Sequence, residues 1–157
     1  PVMMALDAII EIRGAGGTRE VAASDLVTGV MTTVLEPGEV LASIRIPRLS
    51  DTATWGHYKV CIKPGDFADS LAVIVLDRKR ERCRAVIVGR TSPPAYLDGV
   101  ASLLESASGW SNSLQDEITE ATSADIRAAS FGDETDRYAT NLHRTAITRA
   151  AKEALSS

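Results

Sequence analysis

Apolar and polar positions follow two different periods along the chain, and the change lies near residues 93–94, a pair of prolines. Before this pair, short apolar runs bounded by turn residues are typical of β-strands. Beyond it, apolar residues from Leu97 to Leu104 recur at the i, i+3, i+4, i+7 spacing of one helical face. The order predicts an α+β fold, with strands first and helices packed on one side of a sheet.

The strand predictions rest on runs of apolar and β-branched residues. They cover residues 4–12, 40–46, 55–62, 71–76 and 84–88. A glycine-rich stretch at 14–18 separates the first run from another extended segment, so it predicts a hairpin. A phosphate-binding loop is the less favoured alternative there, because no helix start and no Lys-Ser/Thr pair follows the glycines.

Helix ends are predicted from polar residues and glycines. Ser24 with Asp25 predicts the N-cap of a short helix that ends at Gly29. Ser113 with an acid three residues later predicts the N-cap of a helix to about residue 128, and Gly109 predicts the end of the helix before it. A last helix has one apolar face with a spacing of four residues, formed by Leu142, Ala146, Ala150 and Ala154.

The composition is that of an ordinary globular domain, with 45% apolar and 24% charged residues among 157. A formal net charge of -4 gives no electrostatic footprint for nucleic acid or an anionic membrane. The longest apolar run, residues 71–76, is too short to cross a bilayer, so we expect no membrane insertion. The basic run at 77–82 lies between two apolar runs and predicts a solvated turn.

The residue pattern predicts no catalytic group and no metal site. There is no GxSxG motif, and His57 and His143 are not in a recognisable catalytic setting, so packing or surface roles are favoured. Cys61 and Cys83 have no metal-ligand spacing and are expected to be buried free thiols of a cytoplasmic protein. The chain starts at Pro1 without a signal-peptide pattern, which leaves open whether it is naturally short, cleaved or incomplete.

A series of short motifs nevertheless runs in a fixed order along nearly the whole chain. They include GTREV at residues 17–21, EPGEV at 36–40, GHYKV at 56–60, PGDFA at 64–68 and VIVG at 86–89. Together they resemble the C-terminal half of the FAD-binding (medium) subunit of molybdenum hydroxylases, the family of carbon monoxide dehydrogenase and xanthine dehydrogenase. The resemblance implies that residues 1–50 are the C-terminal part of the second FAD-binding subdomain. Residues 51–157 would then be a C-terminal domain with a three-stranded antiparallel sheet packed against three helices.

The resemblance also implies a cofactor site. Lys59 matches a lysine that reaches the cofactor, Phe67 an aromatic that covers the isoalloxazine ring, and Leu41 a flavin-packing leucine. The family's two glycine-rich segments for the FAD diphosphate have no counterpart here, so we expect weak or absent FAD binding by this chain alone. His57 replaces the aromatic that is usual in the family before the strand lysine.

Two functions stay open on the sequence. In the first, this is the flavoprotein subunit of an oxidoreductase. A large subunit with the molybdenum cofactor and a small subunit with iron-sulfur clusters would deliver electrons through FAD to an acceptor. In the second, it is a non-catalytic subunit-interaction domain that does not bind flavin.

Overall fold

A computed structural model of the protein describes residues 1–129, Phe131 and 136–156. The helices of this part are α1 (Val2–Ala5), α2 (Ala23–Leu26), α3 (Asp98–Ser106), α4 (Asn112–Ala128) and α5 (Arg137–Ser156). The strands are β1 (Ile9–Gly14), β2 (Gly17–Ala22), β3 (Val27–Gly29), β4 (Thr32–Thr33), β5 (Val40–Arg45), β6 (Thr54–Val60), β7 (Ser70–Asp77), β8 (Arg82–Gly89) and β9 (Ala95–Tyr96).

The central sheet is antiparallel and has the strand order β6-β7-β8-β9. Every residue of β7 except Leu71 is buried, because other layers of the chain cover both faces of this strand. The predicted α+β fold, with a sheet packed against three helices, is confirmed. The sheet contains one short strand, β9, in addition to the three that were expected.

Helices α3, α4 and α5 cover one face of the central sheet. The closest approach is at Gly56 of β6, where a Cβ atom would lie 2.0 Å from the carbonyl oxygen of Ala150 and 2.7 Å from the amide nitrogen of Ala154. Only glycine allows this strand and helix to meet so closely. The predicted apolar face of the last helix is confirmed, since Ala146, Ala150 and Ala154 are buried.

The opposite face of the central sheet is covered by the first part of the chain. Here β1 pairs with β2 in a hairpin and with β5 on its other side, which gives the strand order β2-β1-β5. Ile10 and Ile12 of β1 belong to a second apolar core with Val73 and Val75 of β7. The central sheet therefore separates two cores. The division into domains 1–50 and 51–157 stays a prediction.

The carboxylate of Asp7 joins these two layers. It accepts a hydrogen bond from Arg84 Nε at 2.9 Å, and its other oxygen lies 2.9 Å from Arg82 Nε. The Arg82 contact is an ion pair without a well-directed hydrogen bond, since Arg82 Nε has none within the described residues. Because the Arg82 side chain is only 12% exposed, Asp7 compensates a mostly buried charge.

The charged run forms the turn between β7 and β8, as predicted, but its side chains are engaged. Arg78 donates to the carbonyl oxygens of Glu105 at 2.6 Å and Leu104 at 3.1 Å, and so satisfies the C-terminal end of α3. Asp77 is buried and accepts hydrogen bonds from the amide and hydroxyl of Ser50, which lower the pKa of Asp77. The prediction of a solvated run is therefore wrong for Asp77.

The strand that was predicted over residues 4–12 begins later, at Ile9. The preceding Met and Ala side chains favour helix and lie in α1 instead, with Leu6 as its C-cap. Asp7 between the two elements has a positive φ of 48°, which turns the chain out of α1. The described helices include none long and apolar enough to cross a membrane.

Four predicted helix ends are wrong by a few residues. The N-cap of α2 is Ala22 rather than Ser24, and α2 ends at Leu26 before the short strand β3. Helix α3 ends at Ser106, three residues before Gly109. The N-cap of α4 is Ser111, whose hydroxyl accepts a hydrogen bond from the amide of the third helical residue.

Candidate functional site

The alternation of β6 places Lys59 on the exposed side of the central sheet. Trp55, His57 and Lys59 are exposed, whereas Gly56 is buried against α5 and Tyr58 is half-buried there. This two-residue period is that of a strand with one covered and one open face. The three exposed residues of β6 pair with Val75, Val73 and Leu71 of β7, which belong to the second core. The open face of β6 is therefore on the same side of the central sheet as the second core.

A hydrogen bond joins Lys59 to the loop that carries Phe67. Lys59 Nζ donates to the carbonyl oxygen of Asp66, the residue before Phe67. The loop is closed by the amide of Asp69, which donates to the carbonyl oxygen of Val60 at 2.9 Å, and Gly65 provides its left-handed turn with φ of 96°. The structure thus brings the strand lysine and the loop aromatic together.

The Phe67 ring is 94% exposed, which is unusual for a large apolar side chain. Trp55, on the same open face as Lys59, is 56% exposed, and its ring lies 5.9 Å from that of His57 between centroids. His57 also donates its backbone amide to a carboxylate oxygen of Glu153 at 2.8 Å. Strand β6 and the loop after it therefore present two exposed aromatic rings, Trp55 and Phe67, and the exposed ammonium group of Lys59.

Leu41 lies apart from Lys59 and Phe67, on β5 of the other sheet. It pairs with Ile12, so its side chain leaves the strand on the side of the second core, yet it is 41% exposed. Ile44 pairs with the buried Ile10 and is 45% exposed in the same way. Leu41 and Ile44 therefore extend the apolar side of this sheet beyond the part that the central sheet covers.

Sequence reasoning did not single out Trp55 and Ile44, which the structure leaves exposed. Trp55 could have been found from its position four residues before Lys59, because that spacing puts both on one face of a strand. Ile44 has no such signal, since an isoleucine in a strand usually belongs to the core and only the tertiary structure leaves it open.

The glycine-rich stretch at 14–18 is a hairpin turn between β1 and β2, as predicted. The nearby Arg19 is already neutralised, because its guanidinium makes a two-pronged contact with the carboxylate of Glu39 at 2.8 and 2.7 Å. Arg19, together with the backbone amide of Glu36, lowers the pKa of Glu39 to about 2. This arrangement leaves no cation in the turn for a phosphate.

The prediction of buried free thiols is confirmed for Cys83, whereas Cys61 is only half-buried. Both are free thiols. Burial raises the pKa of Cys83 to about 12. Within the described ranges, no three histidine, cysteine or acidic side chains gather as metal ligands would.

Comparison with known proteins finds similarity to an FAD-binding domain and to carbon monoxide dehydrogenases. Residues 1–49 match the family model of the FAD binding domain in molybdopterin dehydrogenase. The carbon monoxide dehydrogenase medium chain of Afipia carboxidovorans is 36% identical over 91 residues, which are 58% of this chain and 32% of that protein. The medium chain from Hydrogenophaga pseudoflava is 32% identical over 73 residues, 46% of this chain and 25% of that one.

Solved structures show the same fold over almost the whole chain. Carbon monoxide dehydrogenase from Hydrogenophaga pseudoflava, in a form without the Mo-pyranopterin moiety of its cofactor, superposes with a TM-score of 0.82 and 22% identity over 99% of this chain. Reconstituted CO dehydrogenase from Oligotropha carboxidovorans gives 0.81 and 27% over 98%. In both cases this chain spans 55% of the matched chain. Residues 1–49 are therefore similar in sequence to an FAD-binding domain, and the chain as a whole is similar in sequence to carbon monoxide dehydrogenase medium chains and in fold to chains of that enzyme.

Proposed function

We propose that this chain is part of the flavoprotein subunit of a molybdenum-dependent oxidoreductase and forms the ring end of its FAD site. FAD, when bound, would take up electrons from iron-sulfur clusters and pass them to an acceptor. The observation that carries the proposal is the hydrogen bond that ties Lys59 to the loop of the exposed Phe67. This hydrogen bond links a cation to the backbone of the loop that carries an uncovered aromatic ring, which supports the proposal.

Each of the three residues has a separate task in this proposal. The ammonium of Lys59 would lie near the electron-rich edge of the ring system and favour its reduced, negatively charged form. The Phe67 ring would cover one face of the flavin and exclude water. Leu41 would add apolar contact from the other sheet.

The described residues fit the ring end of FAD but not its diphosphate. A diphosphate needs convergent backbone amides or unpaired cations, such as those of a glycine-rich loop before a helix. The only glycine-rich turn in the described part is the β1-β2 hairpin, and Arg19 next to it is paired with Glu39. We propose that the diphosphate is held by a part of the flavoprotein that this chain does not contain.

The proposal includes two partners. A flavin subunit with no substrate chemistry of its own needs electrons from elsewhere, so we expect a small iron-sulfur subunit and a large subunit with the molybdenum cofactor. We expect this assembly in the cytoplasm. Co-purification of all three subunits under gentle conditions would support the proposal, and a lone flavoprotein that oxidises substrate by itself would contradict it.

The second candidate is a subunit-interaction domain without flavin. It is favoured by the exposure of all six residues of β5, a strand that a partner could cover. The two candidates differ in what Lys59 does. In the interaction domain, Lys59 is a solvated residue whose charge affects no redox property.

Replacement of Lys59 by methionine in the complete, flavin-loaded subunit tests the site. We expect Lys59→Met to lower the flavin reduction potential by tens of millivolts, because a charge at about 4 Å contributes on the order of 1 to 4 kcal/mol. Phe67→Leu keeps an apolar cover, so it should mainly loosen the flavin, with a change of roughly 0.5 to 1.5 kcal/mol in binding. Potentiometric titration and flavin release measure the two effects.

The control is Lys79→Met, which removes the same charge from the turn between β7 and β8, where Lys79 contacts Asp51. It should leave the potential unchanged. If Lys59→Met behaves like this control, the lysine is not beside the ring and the site assignment is wrong.

A further inference from the structure

A pocket of about 330 Å³ lies between the C-terminal part of α4 and the N-terminal part of α5. It is lined by two short polar side chains from α5, one serine and one isoleucine from α4, and three arginines. These residues are Thr140, Asn141, Ser123, Ile126, Arg127, Arg137 and Arg144. Three guanidinium groups from two helices thus surround one cavity.

The three arginines lack carboxylate partners within the described part of the chain, and no described acid lines the pocket. This is unusual here, because acids outnumber bases by 21 to 17. Elsewhere arginines contact carboxylates, as Arg13 does with Glu11 and Arg45 with Glu20. Like charges held close together repel, so such a cluster calls for an anion to compensate it.

One of the arginines is held in place by a chain of hydrogen bonds. Ser123 donates its hydroxyl hydrogen to the carbonyl oxygen of Thr119 at 2.8 Å, which leaves the hydroxyl oxygen free to accept. Arg144 Nε donates to that oxygen at 2.8 Å. Arg144 Nη1 also donates to the side-chain oxygen of Asn141 at 3.5 Å, so the half-buried guanidinium is oriented by two contacts and keeps its other outer N–H groups for a ligand.

We infer that this pocket binds a phosphate group of a small molecule. A tetrahedral oxyanion offers acceptor oxygens in several directions, which matches guanidinium groups that approach from two helices. The side-chain amide of Asn141 adds a polar group at the same wall, whereas the Thr140 hydroxyl already donates to the carbonyl oxygen of Asp136. The backbone amides of Tyr138 and Ala139 at the start of α5 do not contribute to phosphate binding. Asp136 already accepts a hydrogen bond from each of them at 3.0 Å.

The pocket is separate from the proposed flavin surface. Lys59 lies on the face of the central sheet that carries the second core, at a part of this face that is exposed. Helices α4 and α5 lie on the opposite face. Loss of phosphate binding and loss of flavin binding are therefore distinguishable. A pocket variant should leave the flavin potential unchanged.

Titration of the protein with inorganic phosphate, followed by calorimetry in chloride buffer, tests the inference. We expect saturable binding that weakens as ionic strength rises. Arg127→Gln and Arg144→Gln should each weaken binding about tenfold or more, because each removes a charge-assisted hydrogen bond. Arg127 is exposed, so its variant should keep the fold even if Arg144→Gln affects it.

The matched control is Arg13→Gln, which makes the same charge change on β1, away from the pocket. It should bind phosphate like the parent protein. If ADP binds more tightly than inorganic phosphate and the same arginine variants weaken its binding, the ligand is a nucleotide phosphoryl group. If ADP binds equally well or more weakly than inorganic phosphate, the ligand is free phosphate. Absence of saturable phosphate binding, or binding that the control weakens as much as the pocket variants, would overturn the inference.

Discussion

At the scale of single residues, Gly56 decides whether the sheet and the helix layer can meet. A side chain there would collide with the backbone of α5, which cannot move aside as a flexible side chain would. We expect Gly56→Ala to reduce the free energy of unfolding by about 3 kcal/mol or more. Gly16→Ala is the control, since a Cβ there has no heavy atom within 4 Å. Urea denaturation that gives the same loss for both variants would contradict this account.

His143 should make the stability of the protein depend on pH. It is buried, and its Nδ1 lies 2.8 Å from the hydroxyl of Ser70. Burial lowers the pKa of His143 below its usual 6.5, with a partial opposing effect of Asp136. The unfolded chain therefore binds the proton at a higher pH than the folded protein does, and stability falls as the pH drops below about 6.5.

The measurement is the free energy of unfolding between pH 7 and pH 5. We expect His143 to contribute a slope of at most about 1.4 kcal/mol per pH unit, with stability lower at the acidic end. His143→Gln should reduce this slope. A variant that retains the full pH dependence of the parent would show that other groups cause it.

Lys59 and Phe67 could be predicted from the resemblance, because they lie in the neighbouring motifs GHYKV and PGDFA, and the structure joins Lys59 to the residue before Phe67. Their contact with flavin stays a prediction. Arg144 and Arg127 could not be found from the sequence. They are 17 residues apart on different helices, and only the packing of α4 against α5 brings them together.

At the scale of elements, the clearest difference between the sequence-based prediction and the structure is the N-cap of α4. Ser113 matches the capping pattern, yet Ser111 makes the capping hydrogen bond, to the amide of Leu114 at 3.1 Å. Ser113 lies inside the helix and donates to Glu117. We expect Ser111→Ala to cost about 1 kcal/mol of stability and Ser113→Ala only a few tenths. Thermal denaturation that shows the larger loss for Ser113→Ala would restore the sequence-based assignment.

Strands with long apolar runs could be predicted from the sequence, whereas very short helices and the exact ends of helices could not. The runs at 71–76 and 84–88 lie within β7 and β8, because strands buried on both faces need continuous apolar residues. Helix α1 was missed because four residues are too few to show a period. The cap of α4 was misplaced because several serines precede it, and tertiary packing selects among them.

At the scale of the whole molecule, the chain should fold but bind FAD weakly or not at all. Most of the FAD affinity should come from hydrogen bonds to the diphosphate, for which the described residues provide no glycine-rich loop before a helix. Calorimetric titration of the 157-residue chain with FAD measures this. Tight, stoichiometric binding would contradict the prediction. The same chain completed by a diphosphate-binding part should bind FAD tightly, and failure there would favour the interaction domain.

The two-core arrangement also belongs to this scale, and periodicity alone could not predict it. An apolar run such as that of β7 shows that both faces are buried but does not show which segments bury them. The first part of the chain covers one face, where the carboxylate of Asp7 meets Arg82 and Arg84 across a separation of more than 70 residues.

Strand β5 has a practical consequence for anyone who handles this chain. It is the outer strand of its sheet, and its exposed residues include Val40, Leu41 and Ile44. Its outer backbone groups and apolar side chains are a template for another strand, so concentrated solutions should become turbid or form β-rich fibrils with time. A lysine in place of Ile44 would oppose such stacking by charge repulsion and should extend the storage life of the preparation.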